Sequence, residues 1–409
     1  MAYYRALGRL PRQRHTQLRD DDGHLFREEL MGEEGFSSDS SLLYRRGVPS
    51  AITDSQVWEL PDQSRTPNHP LKPRHLRLHD LDTGACPVEG RRLVLGNNDV
   101  RIAYVVTGTD PSPLYRNAIG DECVFVETGS GVVETVFGVV PYRAGDYVVV
   151  PRATDHRWVP AEASRLYAIE ANSHIHPPKR YLSKYGQLLE HAPYCERDLH
   201  GPDETFEVEG TDVEVLVKHR TSAGIVGTRL TYATHPFDVV GWDGCLYPYT
   251  FNIEDYMPIT GKVHQPPPVH QVFEGWNFVV CNFLPRKVDY HELAIPVPYY
   301  HSNVDSDEVM FYVGGDYEAR KGSGIGIGSI SLHPGGHAHG PQPSAIEASL
   351  GVQYFEESAV MVDTFAPLEL GEGGRAVEDP AYAWTWAGRG PAASGGSTDD
   401  GGPAVYSNS

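Results

Sequence analysis

Three features of the sequence predict an all-β protein built as two jelly-roll β-barrels that arose by internal duplication. Short runs rich in β-branched and aromatic residues, among them RRLVLGN, VRIAYVVTG, ECVFVETG, DYVVVP, WNFVVCNF, EVMFYVGG and AVMVDTF, recur along the chain, and helical periodicity is scarce. Most of the 42 glycines and 32 prolines fall between those runs, where tight turns join antiparallel strands. Finally, YRNAIGDECVFVETGSG at 115–131 matches HSNVDSDEVMFYVGGDY at 301–317 in spacing and character.

Each copy then carries a second signature of Gly, strand, Pro, turn and His: AGDYVVVPRATDHRW at 144–158 and GSISLHPGGHAHGP at 328–341. The intervals from Glu to the final His are 34 residues in the first copy and 31 in the second. From these landmarks, 1–90 is expected to be an N-terminal extension packing on the barrels and 91–200 a first barrel without metal. Residues 201–387 are expected to form a second, catalytic barrel, and 388–409 a loosely ordered Gly/Ser-rich tail.

Composition narrows the partners. The chain has 409 residues, 40% of them hydrophobic, enough for a large core. Thirty-four Lys+Arg against 55 Asp+Glu give a net charge of −21, which argues against nucleic acid and anionic membrane surfaces. No apolar run has the length of a membrane span and the polar first residues lack the apolar core of a secretory signal, so a cytoplasmic address is expected. The five cysteines are widely spaced and form no CxxC pair, so neither a disulfide framework nor a thiolate zinc site is expected. The run KGSGIGIGS at 321–329 looks like a phosphate loop, but a strand follows it instead of a helix, so it reads as a hairpin loop.

The chemistry concentrates in the second copy. His301, Glu308 and Gly315, followed by Pro334-x-Gly336-x-x-His339, resemble the two motifs of the cupin superfamily, small β-barrels that hold a metal inside. His301, Glu308 and His339 are the candidate metal ligands: two imidazoles and one carboxylate can take one face of an octahedron and leave positions open for substrate and O2, as in non-haem Fe(II) oxygenases. The position where cupins often carry a further histidine is Asn303, which leaves a three-ligand site. In the first copy Tyr115 stands at the His301 offset and only Glu122 and His156 survive, so that barrel is expected to be structural.

Further stretches narrow the resemblance. RDDDGHLFREELMGEEGFSSDSSLLYRR, PYYHSN with GDYEA, LHPGGHAHGP and DTFAPLELGEGGRAVEDPAYAWTW together resemble the homogentisate 1,2-dioxygenase family over about residues 20–387. That resemblance implies a homo-oligomeric bicupin with Fe(II) in the C-terminal barrel and O2 as co-substrate, opening the ring of a small aromatic substrate in tyrosine catabolism. It further implies that His333 lies in the substrate pocket, that Tyr317 helps hold the substrate carboxylate with Arg320 or Lys321 as its cation, and that Tyr300 is a pocket wall. A histidine base is implied upstream of the first ligand. VHQPPPVHQ offers His264 and His270, with His264 preferred because the run PYTFNIEDYMPITGKVH leads into it. An imidazole suits the removal of a proton from a ring hydroxyl at neutral pH. The alternatives are a related dioxygenase for gentisate, hydroquinone or another hydroxylated aromatic, and a bicupin that binds or isomerises a small ligand without O2.

Overall fold

Strand pairing in the computed structural model, which describes residues 3–262, 264–315 and 317–388, follows the duplication. The expected tail lies outside the described residues apart from Gly388. Among the described residues the only α-helices are two five-residue turns, Ala345–Ser349 and Glu372–Ala376. The first barrel is formed by an eight-stranded and a seven-stranded sheet, and the second is centred on a six-stranded sheet.

The alternation of side chains along each strand explains why these runs are apolar on both faces. In the strand Glu122–Thr128, Val124 and Val126 point into the first barrel, where they meet Val148, Val150, Leu166, Trp58 and Trp158. Cys123 and Phe125 point the other way, into a second cluster shared with the other half of the molecule. The strand Asp307–Gly314 mirrors this pattern, with Val309 and Phe311 in the shared cluster and Glu308, Met310 and Tyr312 turned into their own barrel. The two halves meet ring on ring, since Tyr167 stacks on Phe311 at 4.5 Å between centroids. The first barrel is thus packed with apolar side chains and a buried charged cluster, and the second keeps a cavity of about 460 Å³.

The halves also exchange strands. Arg74–Arg77, from the N-terminal extension, pairs with Ser329–His333 of the second barrel. Glu369–Gly371, near the C-terminus, enters the first barrel's sheet between Arg92–Gly96 and Arg65–Pro67. Ion pairs hold both crossings, Arg92 with Glu372 and Arg74 with Glu378. The expected divide at 200/201 does not follow the pairing, because Val213–Thr221 lies parallel to Tyr115–Asn117 and Tyr249–Asn252 pairs with Asp146–Val150, both in the first barrel. We propose instead to draw the boundary after Asn252. The physical reason is that these strands complete the first barrel's two sheets, whereas Gln271–Gly275 is the first to join the second barrel's sheet.

The extension carries a four-stranded sheet, Arg5–Gly8, Val239–Gly244, Ser40–Arg45 and Arg27–Gly32 in that order. An imidazole pins it to the first barrel: His174 Nδ1 lies 3.1 Å from Glu33 Oε1 and 3.4 Å from Asp121 Oδ1. Hydrogen bonds to Asp121 and Glu33 outweigh burial and raise the His174 pKa from 6.5 to about 10. A group raised on folding contributes stability that is whole below its unfolded pKa and is lost as pH climbs through the folded one. The Tm difference between wild type and His174→Gln is therefore expected to be largest below pH 6.5 and to close towards about pH 10. Calorimetric scans across that range check this.

Candidate metal centre

His301, Glu308 and His339 come from three separate segments, and backbone hydrogen bonding brings them together. His301 and His339 form an isolated antiparallel bridge, each amide donating to the other's carbonyl at 2.8 Å. Glu308 sits at the head of the strand Asp307–Gly314 and faces inward. Its neighbour Asp307 faces outward and staples the loops: Oδ1 accepts the Gly335 amide and Oδ2 the Leu368 amide, both at 2.7 Å. Gly336 takes φ +75°, a backbone state costly for other residues, and its amide reaches the Asn303 carbonyl at 2.8 Å. These contacts tie the loop before Glu308 to the turn before His339.

The donor atoms of the three residues lie within 4.8 Å of one another. Glu308 is 3.4 Å from the Nε2 of each histidine. Both rings donate through Nδ1 to a carbonyl, His301 to Tyr299 at 3.2 Å and His339 to His337 at 3.1 Å, so both Nε2 lone pairs face inward. His339 Nε2 is buried without a hydrogen-bond partner. Burial raises the Glu308 carboxyl, but the imidazoles of His301, His333 and His339 around it overcome this and hold it well below the usual range. Two imidazole nitrogens and an ionised carboxylate, one nitrogen orphaned, fit a divalent metal of the non-haem iron type. A second grouping of donors, Glu33, Asp121 and His174, is the ion pair already described, with Asp121 also accepting two backbone amides.

The cavity above the ligands is lined by His264, His270, Arg286, Tyr299, Tyr317, Arg320 and Asp363, among others. A roomier recess of about 630 Å³ lies where the extension meets the first barrel and carries none of the predicted site residues. His264 Nδ1 is 3.0 Å from Asp289 Oδ2 at the exposed rim. His270 is buried against Phe283 with Nδ1 unpartnered, and burial, with Arg286 and His264 nearby, pushes its pKa down to about 4. The Tyr317 hydroxyl accepts the Gly314 amide at 2.7 Å and donates to the Ser358 carbonyl. Arg320 faces inward, donating to the Tyr312 hydroxyl at 3.1 Å and the Gly340 carbonyl at 2.5 Å.

Three expectations need correction. Lys321 is exposed and does not line the cavity, so of the two cations Arg320 is the inward one. Tyr300 is 48% exposed, packs against Gly340 and does not line the cavity, whereas Tyr299 and His301 do. His333 is fully buried below the cavity instead of facing it. Paired across from Glu308, it stacks on His339 at 4.3 Å, with its Nδ1 3.3 Å from Glu308 and its Nε2 3.0 Å from the Tyr382 hydroxyl. It therefore packs against two of the candidate ligands, Glu308 and His339. Sequence reasoning missed Tyr382, Arg286 and Asp363. A signal existed for Asp363, the one charged residue of the apolar run AVMVDTF.

In the first barrel Tyr115 pairs with His156 as His301 pairs with His339. Between the two carboxylates of that barrel sits a guanidinium: Arg91 Nη1 donates to Glu122 Oε2 at 2.9 Å and to Glu170 Oε1 at 3.0 Å.

Two linked β-barrels, the second hollow beside an inward-facing His, Glu and His, define a bicupin with a candidate metal centre inside its second barrel. Its relatives are specific. The homogentisate 1,2-dioxygenase N-terminal model matches residues 51–253 and the C-terminal model residues 263–389, and the chain belongs to that family. A Saccharolobus solfataricus protein provisionally named a dioxygenase is 39% identical over 394 residues, covering 94% of this chain and 99% of that protein. Homogentisate 1,2-dioxygenase of Emericella nidulans is 26% identical over 330 residues, 74% of this chain and 71% of that enzyme. Among solved structures, a cupin 2 conserved barrel protein from Leptotrichia buccalis aligns over 74% of this chain and 99% of its own at TM-score 0.31 and 10% identity.

His339→Ala is expected to abolish metal retention with the fold kept, and His156→Ala to leave metal content unchanged. Elemental analysis with far-ultraviolet circular dichroism checks both, and equal metal loss in the two variants would contradict a single working barrel.

Proposed function

We propose that this chain is an Fe(II)-dependent ring-cleaving dioxygenase that converts homogentisate and O2 to maleylacetoacetate. The observation that carries the reading is the His301, Glu308 and His339 donor set placed beside a cavity of about 460 Å³, a size suited to a single-ring acid. Bound to these residues, Fe(II) supplies open coordination positions for a ring hydroxyl and O2, and a path for electron density from ring to oxygen.

The chain's own groups supply the rest. His264 is the better proton acceptor of the two candidates, because Asp289 takes the hydrogen on Nδ1 and leaves the Nε2 lone pair free. His270, held neutral by burial, serves as a fixed wall. Tyr299 packs edge-on against His264 with ring centroids 5.2 Å apart and limits the ring's movement. For the substrate carboxylate the cavity offers two guanidinium groups, Arg320 and Arg286. Arg286 is held in place by Glu357 at 2.9 Å and by contact with the Phe283 and Phe355 rings.

A related hydroxylated aromatic, gentisate or hydroquinone, is the second reading. It is favoured by one observation: Arg320 already spends two of its donors on Tyr312 and Gly340, which weakens the grip on an arylacetate side chain.

Oxygen uptake by protein loaded anaerobically with Fe(II) separates the readings, with the ring-opened product followed by ultraviolet absorbance. Uptake is expected with homogentisate and not with gentisate or hydroquinone. Uptake with another of these phenols would keep the centre and reassign the pocket, and no uptake with any would favour a bicupin that works without O2.

A further inference from the structure

The duplication lets each position of the centre be matched by strand register to a residue of the first barrel. Glu122 stands opposite Glu170 in one pair of strands, and Glu308 stands opposite Asp363 in the corresponding pair. Asp363 is thus the counterpart of Glu170.

In the first barrel this pair of carboxylates is fully answered. Arg91 lies between them, and Glu170 also meets Lys218 Nζ at 2.5 Å and Arg101 at 3.5 Å. In the second barrel no such answer is present among the described residues. Asp363 makes no ion pair there, and its Oδ1 is sealed from solvent without a hydrogen-bond partner. It shares a face of Ser358–Thr364 with Ala359 and Met361, and all three line the cavity. Asp363 is outside the set of donors that cluster within 4.8 Å, so it stands beside the ligands and is not one of them.

A buried carboxylate oxygen without a donor is costly, and the first barrel shows how the fold answers that cost when no ligand is to be admitted. In the second barrel no described side chain supplies that donor, and the cavity that Asp363 lines is where one can enter. We propose that Asp363 accepts a hydrogen bond from the hydroxyl group seated beside Glu308, that of a water in the resting protein and that of the aromatic diol in the complex. This rests on the function proposed above and extends it: Asp363 selects for a ring that carries a hydroxyl at the centre, whereas the guanidinium groups read the carboxylate.

The test compares two ligands on Fe(II)-loaded protein under anaerobic conditions by calorimetric titration. One is the diol that wild type turns over, homogentisate on the leading reading; the other is phenylacetate, which has the ring and carboxylate but no hydroxyl. Asp363→Ala and Asp363→Asn are expected to retain iron at the wild-type ratio, to weaken the diol by about tenfold or more, and to leave phenylacetate within about twofold. Glu308→Gln, which removes a ligand charge, is expected to lose iron. Equal weakening of both ligands, an unchanged diol affinity, or iron loss in the Asp363 variants would each overturn the proposal. If gentisate or hydroquinone replaces homogentisate as the diol of wild type, the substrate reading fails while the same comparison still decides the role of Asp363.

Discussion

A carboxylate turned into the dry interior of a β-barrel must find positive charge or hydrogen-bond donors, and each half of this molecule contains one at the same place in its strand order. Leaving such a group unanswered costs several kcal/mol, a large share of the roughly 5–15 kcal/mol that holds a folded domain together. Glu122 is answered by protein: Arg91 bridges it to Glu170, and Tyr115 and Asn117 donate to its other oxygen. Glu308 is answered by three imidazoles, whose remaining nitrogens are held by backbone carbonyls or by Tyr382. The first arrangement is closed and permanent; the second leaves lone pairs facing inward and a charge still to be supplied.

The same register sets where the cavity opens. Even-numbered residues of Asp307–Gly314 face the second barrel's interior and odd-numbered ones face the other half, so Val309 and Phe311 build the shared core while Glu308 and Met310 build the site. A slip of one residue would turn Glu308 onto the apolar face that now carries Val309 and Phe311. The stacking of Tyr167 on Phe311 and the cross-pairing of Arg74–Arg77 with Ser329–His333 oppose that slip. Stability of the interface between halves and aim of the ligands are therefore one property, written on opposite faces of the same strands.

The duplication, and the grouping of His301, Glu308 and His339 as candidate ligands, were legible in the sequence because they depend on local spacing: PGGHAH forms a turn that presents a histidine, and Asp-Glu before an apolar run presents a carboxylate at a strand head. What depended on which neighbour a strand takes was not legible. Residues 201–252 are expected from the sequence in the second barrel, and only the pairing of Val213–Thr221 with Tyr115–Asn117 and of Tyr249–Asn252 with Asp146–Val150 assigns them to the first. Tyr300 and His333 are expected in the pocket from motif position, yet Tyr300 packs against Gly340 outside it and burial against His339 removes the other. Asp363 lies 55 residues beyond Glu308 in the chain and meets it only across a ladder, so its importance emerges from the register of two strands and from the contrast with Glu170.

The position of Glu369–Gly371 inside the first barrel's sheet bears on how the chain is made. Synthesis proceeds from the N-terminus, and halves of duplicated proteins commonly fold as they emerge. Here the strand Arg92–Gly96 keeps an unpaired edge until residues near the end of the chain have been released, because its partner on that side is Glu369–Gly371. An exposed apolar edge is an invitation to pair with a neighbouring nascent chain. The first barrel's sheet therefore gains its last strand only after the strands of the second barrel have been made.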